Sequence, residues 1–459
     1  MSEIVSKGAI ALSKIFNDNG HTLYLVGGSV RNMICGLPGG DADVCSTALP
    51  GDAAAFLRGE KVTVIEKALA LGTIEAHLTL DGEKYVFEHT TFRQDYYHDG
   101  GVHRPYKVHF TKDIAIDARR RDFTVNALYL DLQTDEIIDP TGRGIADAHD
   151  GIIRAAADNA IDTLKDDGLR IMRMVRFAAE LGFSVSEDLH ECAKQNACML
   201  ADISVERKRD ELFKIMLADT KYGKDGAQLT GLLLLRELGA MQYVLPVLNE
   251  GDGVQQSKRY HAHDVMGHGI SACAQAAPIL PLRLAALLHD IGKPRAMEAA
   301  GNMYDHDEIG TQMARQALSK LKIDNKTKKT VVTLVAHHMF DLTAKAKPKT
   351  IRKHAIGLGR ETFELLIALR RADFLGSGMG EAVVTSADNW QNELDVMINK
   401  KVPWSVADLN VTGSEIMEAL GIAPSRKIGD ILMILFKECV RNPGKNTKEI
   451  LIKRAKKLI

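Results

Sequence analysis

The sequence predicts an α/β (α+β) head followed by an all-α remainder, and two observations support this fold class. Short β-rich runs alternate with helical segments through the first 130 residues, which is typical of a small mixed sheet covered by helices. The runs are LYLVGG, KVTVIE, TIEAHLTL and KYVFEHTTF. Beyond about residue 150 the strand pattern disappears, and apolar residues recur at helical spacing to the end, as in LRLAALLHDIG.

Turn-forming segments divide the chain into four predicted parts. Gly, Pro, Asn and Asp cluster at 139–142, 249–253 and 376–378, as they do where helices or strands end. We therefore predict a head over 1–140, a neck and body over 141–250, a further helical domain over 251–380 and a tail over 381–459.

Composition places the chain among ordinary globular proteins. A chain of 459 residues is too long to fold around one compact core. Its 45% hydrophobic and 26% charged residues are typical of soluble globular proteins. No apolar run reaches the roughly 18 residues of a membrane helix, and the amphipathic N-terminus does not resemble a signal peptide. Six cysteines without a C-x-x-C pair predict neither a zinc knuckle nor a disulfide framework. We expect a cytoplasmic protein with no membrane contact.

Charge restricts how the chain can hold nucleic acid. Lys plus Arg number 59 and Asp plus Glu 60, so any contact with phosphates must come from local patches. Basic residues cluster over 343–360 and again near the C-terminus. Each cluster predicts either an RNA-binding patch or a solvated helix face.

The segment LVGGSVRNMICGLPGGDADVCST is the most informative in the head. Gly27 and Gly28 follow a strand, and glycine lets the backbone approach a phosphate closely. Ser29 then opens a helix whose N-terminal N–H groups and dipole favour a triphosphate. Arg31, one turn further on, would pair with a phosphate.

The same segment ends in two carboxylates. Residues i and i+2 of a strand point to one face, so Asp41 and Asp43 are expected to project together. Two converging carboxylates suit Mg²⁺. A D-x-D pair alone is more often a surface turn, and only its combination with the glycines favours a metal site.

Further motifs follow in order: FEHTTFRQDYYHDGGVHRP, RRRDFTVNALYLD, DPTGRGIADAHDGIIR, DDGLRIMRMVRFAAELGF and VERKRDEL. Over residues 23–215 the chain resembles the class II CCA-adding enzymes and bacterial poly(A) polymerases, which are polymerase-β-like nucleotidyltransferases. That resemblance implies Glu88 as the third catalytic carboxylate beside Asp41 and Asp43, which would hold Mg²⁺ during in-line attack of an RNA 3′ hydroxyl on an α-phosphate. Asn32 departs from the family, which usually has Asp there.

The resemblance also implies nucleotide-binding residues. Four of them, Arg120, Arg121, Asp122 and Asn126, would hold the phosphate and ribose of the incoming nucleotide. Without the resemblance, the RRRD run would be an ordinary charged helix start.

Base selection is expected from DDGLRIMRMVRF, which resembles the family's amino-acid template with Asp166 in place of Glu. The i, i+3 spacing predicts that Asp167 and Arg170 share a helix face. A carboxylate that accepts beside a guanidinium that donates fits cytosine and adenine and repels uracil and guanine. Arg173 and Arg176 would add nucleotide contacts. The alternative is a solvent-facing salt bridge.

The span between Glu88 and Arg120 bears on which nucleotides are added. By resemblance it holds a flexible loop, carrying Arg93, Asp95 and Arg104, that CC-adding members lack. This favours an enzyme able to add A, with CTP and ATP as substrates and tRNA as acceptor. Full CCA addition, the commoner activity, ranks before A addition alone or poly(A) synthesis.

A second constellation lies in the helical half, in RYHAHDVMGHGISA, LAALLHDIGKP, YDHDEIG, VAHHMF and RRADFLG. These segments resemble the HD superfamily of metal-dependent phosphohydrolases. The implied ligands of a divalent transition metal or Mg²⁺ are His268, His289, Asp290 and Asp373, with His306 and His337 as ligands of a second ion. Because adjacent helical residues splay about 100° apart, the helix must end at the His-Asp pair for both to bind one ion.

Two other functional hypotheses remain open at this point. The helical half could be the main enzyme, a phosphohydrolase with a non-catalytic head, or the whole chain a non-catalytic RNA-binding protein. The complete head carboxylates argue against both. In the tail, Arg426, Lys427, Lys453 and Lys456 are expected to contact tRNA phosphates.

Overall fold

The computed structural model describes residues 6–39, 42–97, 105–379 and 384–458. Its contacts separate two compact units, Met1–Pro246 and Val247–Ile459. Unit 1 holds an α/β head with helices after it, and unit 2 is helical throughout its described residues. The predicted fold class is confirmed.

Seven strands form the sheet of the head, in the order β3-β4-β5-β2-β1-β8-β9. The strands of the structure are β1 Tyr24–Val26, β2 Asp43–Ser46, β3 Thr63–Ala68, β4 Thr73–Leu80, β5 Glu83–Thr91, β6 Arg93–Tyr96, β7 Lys107–Phe110, β8 Tyr129–Asp131, β9 Ile137–Ile138, β10 Ile152–Ile153 and β11 Ser184–Val185. The pairs β6-β7 and β10-β11 form two further ladders. The short β10-β11 ladder departs from the expectation that strands end before residue 150.

Alternation along the strands assigns the two faces of this sheet. Leu25 and Val44 belong to the core cluster that helices α1 (Lys7–Asp18) and α3 (Pro50–Gly59) complete. Their neighbours Val26 and Cys45 belong to a separate cluster on the other face. This is the period of two expected for a sheet buried on both sides.

The other helices of unit 1 are α2 Gly28–Cys35, α4 Ile114–Arg119, α5 Gly144–Asp150, α6 Ala160–Asp166, α7 Arg170–Leu181, α8 Glu187–Gln195, α9 Val205–Met216, α10 Ala218–Tyr222, α11 Ala227–Glu237 and α12 Met241–Val244. Helix α7 packs against α9 and α11 and is almost entirely buried. Its arginines recur every three residues, so they line one side of the helix.

Unit 2 consists of α13 Pro246–Asn249, which begins at its boundary, α14 Val265–Gln275, α15 Leu280–Leu288, α16 Lys293–Ala300, α17 His306–Lys320, α18 Asn325–His337, α19 Pro348–Leu358, α20 Arg360–Gly376, α21 Thr385–Asn399, α22 Gly413–Leu420, α23 Arg426–Arg441 and α24 Lys448–Ala455. Helix α14 packs on α15 and α20, and α15 packs on α18. Among the described residues, no helix combines the length and apolarity that crossing a bilayer requires.

Candidate active sites

The glycine pair opens the head site. Gly27 is the N-cap of α2 with φ +78° and ψ −132°, a conformation that a side chain would strain. Its N–H donates to the carbonyl of Leu128 and its carbonyl accepts from Arg31 N–H. Gly28 and Ser29 therefore present the start of a helix to the adjoining cleft.

The predicted acidic pair is described only at Asp43, which lines the same cleft as the glycine turn. Asp41 is not described, whereas Asp43 is the first residue of β2. Strands β2 and β5 are parallel, with Asp43 and Glu88 as register partners. Parallel register partners point to one face, so these two carboxylates share the face opposite α1 and α3. Oxygen ligands on adjacent strands fit a hard divalent cation.

A polar cleft of about 660 Å³ adjoins the glycine turn. Every nucleotide-binding residue that the sequence predicted contributes to its lining. They are Gly27, Gly28, Ser29, Arg31, Arg120, Arg121, Asp122, Asn126, Asp167, Arg170, Arg173 and Arg176. Asp43 lines it as well. The structure thus brings together motifs that lie up to 149 residues apart in sequence, from position 27 to position 176.

Most arginines of the cleft are neutralised by carboxylates. Arg120 and Arg121 contact the two oxygens of buried Asp117 at 2.6 and 2.9 Å, and they lie at the end of α4, not at a helix start. Arg173 donates from Nε and Nη2 to Asp122 at 2.9 and 2.5 Å. Burial alone would raise the pKa of Asp122, but Arg173 and other guanidinium groups lower it to about 2.

Arg31 differs because the hydrogen-bond partners of its guanidinium are neutral. It donates to Asn126 Oδ1 at 2.6 Å, to Asn32 Oδ1 at 2.9 Å and to the Tyr222 hydroxyl at 3.3 Å. Burial lowers the pKa of Arg31, as expected for a cation removed from water. Asn32, where the resemblance expects Asp, therefore leaves this positive charge available to an anion in the cleft.

The predicted helix face for base selection is wrong in one respect. Asp167 is extended, with ψ 106°, and lies between α6 and α7. Its carboxylate accepts from Leu169 N–H at 3.0 Å and its carbonyl from Arg170 N–H at 2.9 Å. Asp and Asn compete with helical hydrogen bonding in this way and end up at helix starts. Both side chains nevertheless line the cleft.

These two side chains already have partners. Arg207 Nη2 lies 2.5 Å from Asp167 Oδ2, and Arg170 donates to the carbonyls of Thr163 and Arg120 at 2.9 and 2.5 Å. The contacts hold an acceptor and a donor group in fixed positions at the cleft wall.

The sequence assigned no role to several side chains of the cleft, among them Phe177, Arg207 and Tyr222. The Arg176 guanidinium lies 4.1 Å from the centre of the Phe177 ring, and Arg31 lies 5.2 Å from it on another element. Arg207 lies in VERKRDEL, a motif whose separate residues have no role that the sequence alone indicates. No local signal marks Tyr222, because its contact with Asn32 spans 190 residues.

The predicted flexible loop is wrong for Arg93 and Asp95. Both lie in β6, paired with β7, and their side chains are mostly buried. Residues i and i+2 of a strand share a face. The Arg93 guanidinium and the Asp95 carboxylate accordingly lie 2.9 Å apart. Arg104 lies outside the described residues.

In unit 2 a first group of donor atoms meets in the helical core. His268 Nε2 lies 3.1 Å from His289 Nε2 and 3.0 Å from Asp373 Oδ1, and the latter two atoms are 3.3 Å apart. The residues come from α14, the end of α15, and α20. Three such donors within reach of one point suit a divalent metal ion.

A second group shares the adjacent carboxylate. Asp290 Oδ1 lies 3.2 Å from His306 Nε2 and 3.6 Å from His338 Nε2. Its other oxygen lies 3.2 Å from His289 Nε2. Asp290 thus faces both groups.

His338, and not the predicted His337, joins His306, at 3.2 Å between their Nε2 atoms. His337 instead packs edge-on against His354, with ring centroids 5.0 Å apart. One residue along a helix turns the side chain by about 100°, so an error of one position moves the ring away from the site. The assignment of His337 is corrected to His338.

The ring nitrogens opposite the donor atoms are held by backbone carbonyls. Nδ1 of His289, His306 and His338 contacts the carbonyls of Ala286, Met303 and Val335 at 2.8, 2.7 and 2.7 Å. Nδ1 of His268 contacts Gly376 O at 3.2 Å. Such contacts orient each imidazole with Nε2 toward a metal. The buried donor set therefore fits one or two divalent ions.

The backbone at this site has the predicted helix end. Helix α15 ends at Leu288, so His289 and Asp290 follow the helix and are not held to the 100° separation of adjacent helical residues. Gly292 then passes so close to α17 that a Cβ there would lie 2.0 Å from the carbonyl of His306. Only glycine permits this approach, which brings the His-Asp pair next to His306.

Lys293 is a further residue of this site that the sequence did not assign. Its buried ammonium lies 2.5 Å from Asp290 Oδ2 and 2.7 Å from Gln256 Oε1. Burial alone would raise the pKa of Asp290, but His289 and Lys293 hold it well below its usual value.

The tail residues predicted to bind RNA are all exposed. Arg426 and Lys427 begin α23, Lys453 lies in α24 and Lys456 follows its end. Their role in RNA binding stays a prediction.

Three family models match the chain. They describe a poly A polymerase head domain over residues 23–154, a probable RNA and SrmB-binding site of polymerase A over 182–251, and an HD domain over 270–373.

Two full-length relatives and one solved structure are similar to the chain. It is 30% identical over 431 residues to the A-adding tRNA nucleotidyltransferase of Deinococcus radiodurans, covering 90% of each chain. It is 29% identical over 457 residues to the CCA-adding enzyme of Ligilactobacillus salivarius, covering 99% of this chain and 96% of that one. The crystal structure of the Bacillus stearothermophilus CCA-adding enzyme in complex with CTP has a TM-score of 0.68 at 24% identity, covering 98% and 96% of the two chains. At this identity the structural likeness is one of fold.

Proposed function

The chain belongs to the bacterial, HD-domain-containing family of CCA-adding tRNA nucleotidyltransferases, and from that membership we propose that it adds CCA to the 3′ end of tRNA. It is an enzyme whose substrates are nucleotides and whose catalysis depends on metal ions. CTP and ATP are the proposed donors, and the reaction belongs to the cytoplasm, where tRNA is processed.

One observation carries the proposal for the head. The cleft joins the glycine turn, Asp43 and the α7 arginines in one continuous lining. A helix N-terminus and the uncompensated Arg31 offer a binding site for the triphosphate. Arg120 and Asp122, held by their partners, are proposed to bind the phosphate and the ribose.

Asp41, Asp43 and Glu88 are proposed to hold Mg²⁺ in the head. When bound, Mg²⁺ supplies charge neutralisation at the α-phosphate and at the pyrophosphate leaving group. The protein residues do the positioning, because phosphoryl transfer requires the attacking hydroxyl and the leaving oxygen to lie in line.

Base selection is proposed to rest on Asp167 and Arg170. The carboxylate accepts from the amino group of cytosine or adenine, and the guanidinium donates to the adjacent ring nitrogen. Uracil and guanine place an acceptor against the carboxylate and an N–H against the guanidinium, so both contacts repel. Arg207 and the carbonyls that hold these side chains would fix them in register for the base.

Full CCA addition is distinguished from A addition by the acceptor used. The protein is incubated with Mg²⁺ and tRNA transcripts ending before CCA, after the first C or after CC, with labelled CTP or ATP supplied separately. We expect CTP incorporation on the first two transcripts and ATP incorporation on the third. Incorporation of ATP alone, and only on the CC-ended transcript, would establish A addition instead.

A second activity, phosphohydrolysis, is proposed for the HD site because six donor residues converge there in two groups that share Asp290. A divalent transition metal or Mg²⁺ would be its cofactor, and 2′,3′-cyclic phosphates or phosphomonoesters at RNA ends its substrates. His289→Ala is expected to abolish hydrolysis of a cyclic phosphate while nucleotide transfer by the head continues. Undiminished hydrolysis in this variant would contradict the assignment.

A further inference from the structure

A corner of unit 2 carries basic side chains from several elements that are separate in sequence. We name it the basic corner and define it by Lys353, Lys401, Lys437 and Arg441. These residues lie in α19, after α21 and at the end of α23. Lys353 lies in the basic cluster over 343–360, whereas the sequence assigned no RNA contact to Lys401, Lys437 or Arg441.

The first half of the basic corner is a cleft of about 320 Å³ between α19 and α23. Lys353, Lys437 and Arg441 line it around the half-buried ring of Phe436. In the part of the chain that the structure describes, the side chains of these three basic residues form no ion pair with a carboxylate. Their charges are therefore available to an anionic partner.

The second half is a cleft of about 490 Å³, whose lining includes Arg360, four residues beyond Ile356 of the first cleft, and Asn446, five residues beyond Arg441. Lys401 and the half-buried indole of Trp404 line it. The Asp408 carboxylate at this cleft is engaged locally, accepting from the N–H groups of Trp404 and Ser405 at 3.1 and 2.8 Å. These bonds fix the backbone that carries the indole.

Amide groups complete this second cleft. Asn446 accepts from the N–H of Asn410 at 2.8 Å and donates to the carbonyl of Asp408 at 3.0 Å. It thereby ties the segment after α23 to the turn that holds Trp404.

Several basic side chains together with a partly exposed aromatic ring are typical of a binding site for single-stranded nucleic acid. Cationic side chains follow the phosphates, and a flat ring accepts an unpaired base by stacking. We propose that the basic corner binds an unpaired segment of the RNA substrate, with phosphates on Lys353, Lys437 and Arg441 and one base stacked on Trp404. This inference rests on the proposed function, since it names the surface that holds the acceptor RNA.

Tryptophan fluorescence tests the stacking directly. The sequence contains two tryptophans, and the other, Trp390, is fully buried. Titration of the full-length protein with a tRNA transcript ending before CCA should quench the emission of Trp404. In Trp404→Phe, which keeps a ring for stacking, the quenching should disappear while affinity is nearly retained. Trp404→Ala should bind about 5- to 100-fold more weakly. Equal quenching in Trp404→Phe overturns the proposal.

The phosphate contacts are tested by charge removal with a matched control. The triple variant K353Q/K437Q/R441Q should lower the slope of log affinity against log salt by about 2, as three lost phosphate contacts require. The control K320Q/K326Q/K329Q removes three charges from exposed positions elsewhere in unit 2, and it should leave the slope unchanged. Equal slopes in the two triple variants overturn the proposal.

Two further measurements separate the possible outcomes. If polyglutamate quenches Trp404 as strongly as RNA does, the surface is a protein-binding site and the RNA assignment is wrong. Nucleotide addition is followed in the same samples. RNA binding at the corner without any nucleotide addition contradicts the proposed function alone, whereas normal addition with unchanged RNA affinity in the triple variant contradicts the basic corner alone.

Discussion

Arg352 joins the tail to the helices around it, and its replacement by methionine should be strongly destabilising. Its Nη1 donates to Glu393 Oε1 at 2.5 Å, and Nε and Nη2 donate to the carbonyls of Val440 and Arg441 at 2.6 and 2.9 Å. Those carbonyls lie at the C-terminal end of α23, where a helix leaves acceptors unpaired. One buried guanidinium therefore connects α19, α21 and α23.

The magnitude follows from what Arg352→Met leaves behind. Glu393 is 8% exposed, and an isolated charge left by breaking a buried pair costs about 3–5 kcal/mol. The two carbonyls lose a donor as well, at about 1–3 kcal/mol for each one that water does not reach. We expect a loss of about 5 kcal/mol in the free energy of unfolding. In R352M/E393Q the buried charge is gone, so we expect about 2 kcal/mol, less than R352M alone.

Urea unfolding followed by tryptophan emission measures this loss in unit 2, because both tryptophans lie there. A Trp404→Phe background leaves Trp390 as the reporter, one turn from Glu393 in α21. Arg352→Lys, which keeps the charge but not the planar fork, should fall between wild type and R352M. A loss below about 1 kcal/mol for R352M, or a double variant less stable than R352M, would refute this account of Arg352 and its three partners.

Three further predictions concern the head and the HD site. Glu88→Gln should lower the rate of nucleotide incorporation by at least about 100-fold, because a ligand of the catalytic metal is lost. The control Glu83→Gln, on the same strand, should leave the rate unchanged. Equal rates for the two variants in steady-state assays would remove Glu88 from the site. Burial, and to a lesser degree His21, lowers the pKa of His89 from 6.5 to about 3. Between these two pH values the unfolded chain binds a proton that the folded chain does not. The free energy of unfolding therefore falls by about 1.4 kcal/mol for each pH unit below 6.5. Urea unfolding followed by circular dichroism between pH 6 and 4 should show a shallower dependence in His89→Gln, and an unchanged slope would contradict the argument. His338→Ala should reduce the divalent metal bound by the protein in elemental analysis, whereas His337→Ala should not, and the reverse result would restore the original assignment.

Several features of the fold and site could be predicted because they depend on local pattern. Alternating strands, the helical period after the head and the glycine turn at Gly27 are short-range properties of the chain. The His289-Asp290 pair was placed at a helix end from the Gly and Pro that follow it. The ordered motifs then identified the family, and the full-length relatives bear this out.

Local sequence pattern could not predict contacts between residues distant in sequence, nor residues that lie outside regular helices and strands. Spacing suggested that Asp167 and Arg170 share a helix face, but the aspartate forms a cap and pairs with Arg207. Helical period could not decide between His337 and His338, because the choice depends on which neighbour faces His306.

The sequence by itself determined the fold class, the family and the residues from which both sites are built, because periodicity and ordered motifs are written along the chain. Only the tertiary structure decided that Arg31 keeps neutral partners, that Asp290 faces two groups of histidines and that Lys353 meets Arg441 at one cleft. These are properties of packing. A side chain's charge, reach and orientation depend on neighbours that the fold supplies from tens or hundreds of residues away.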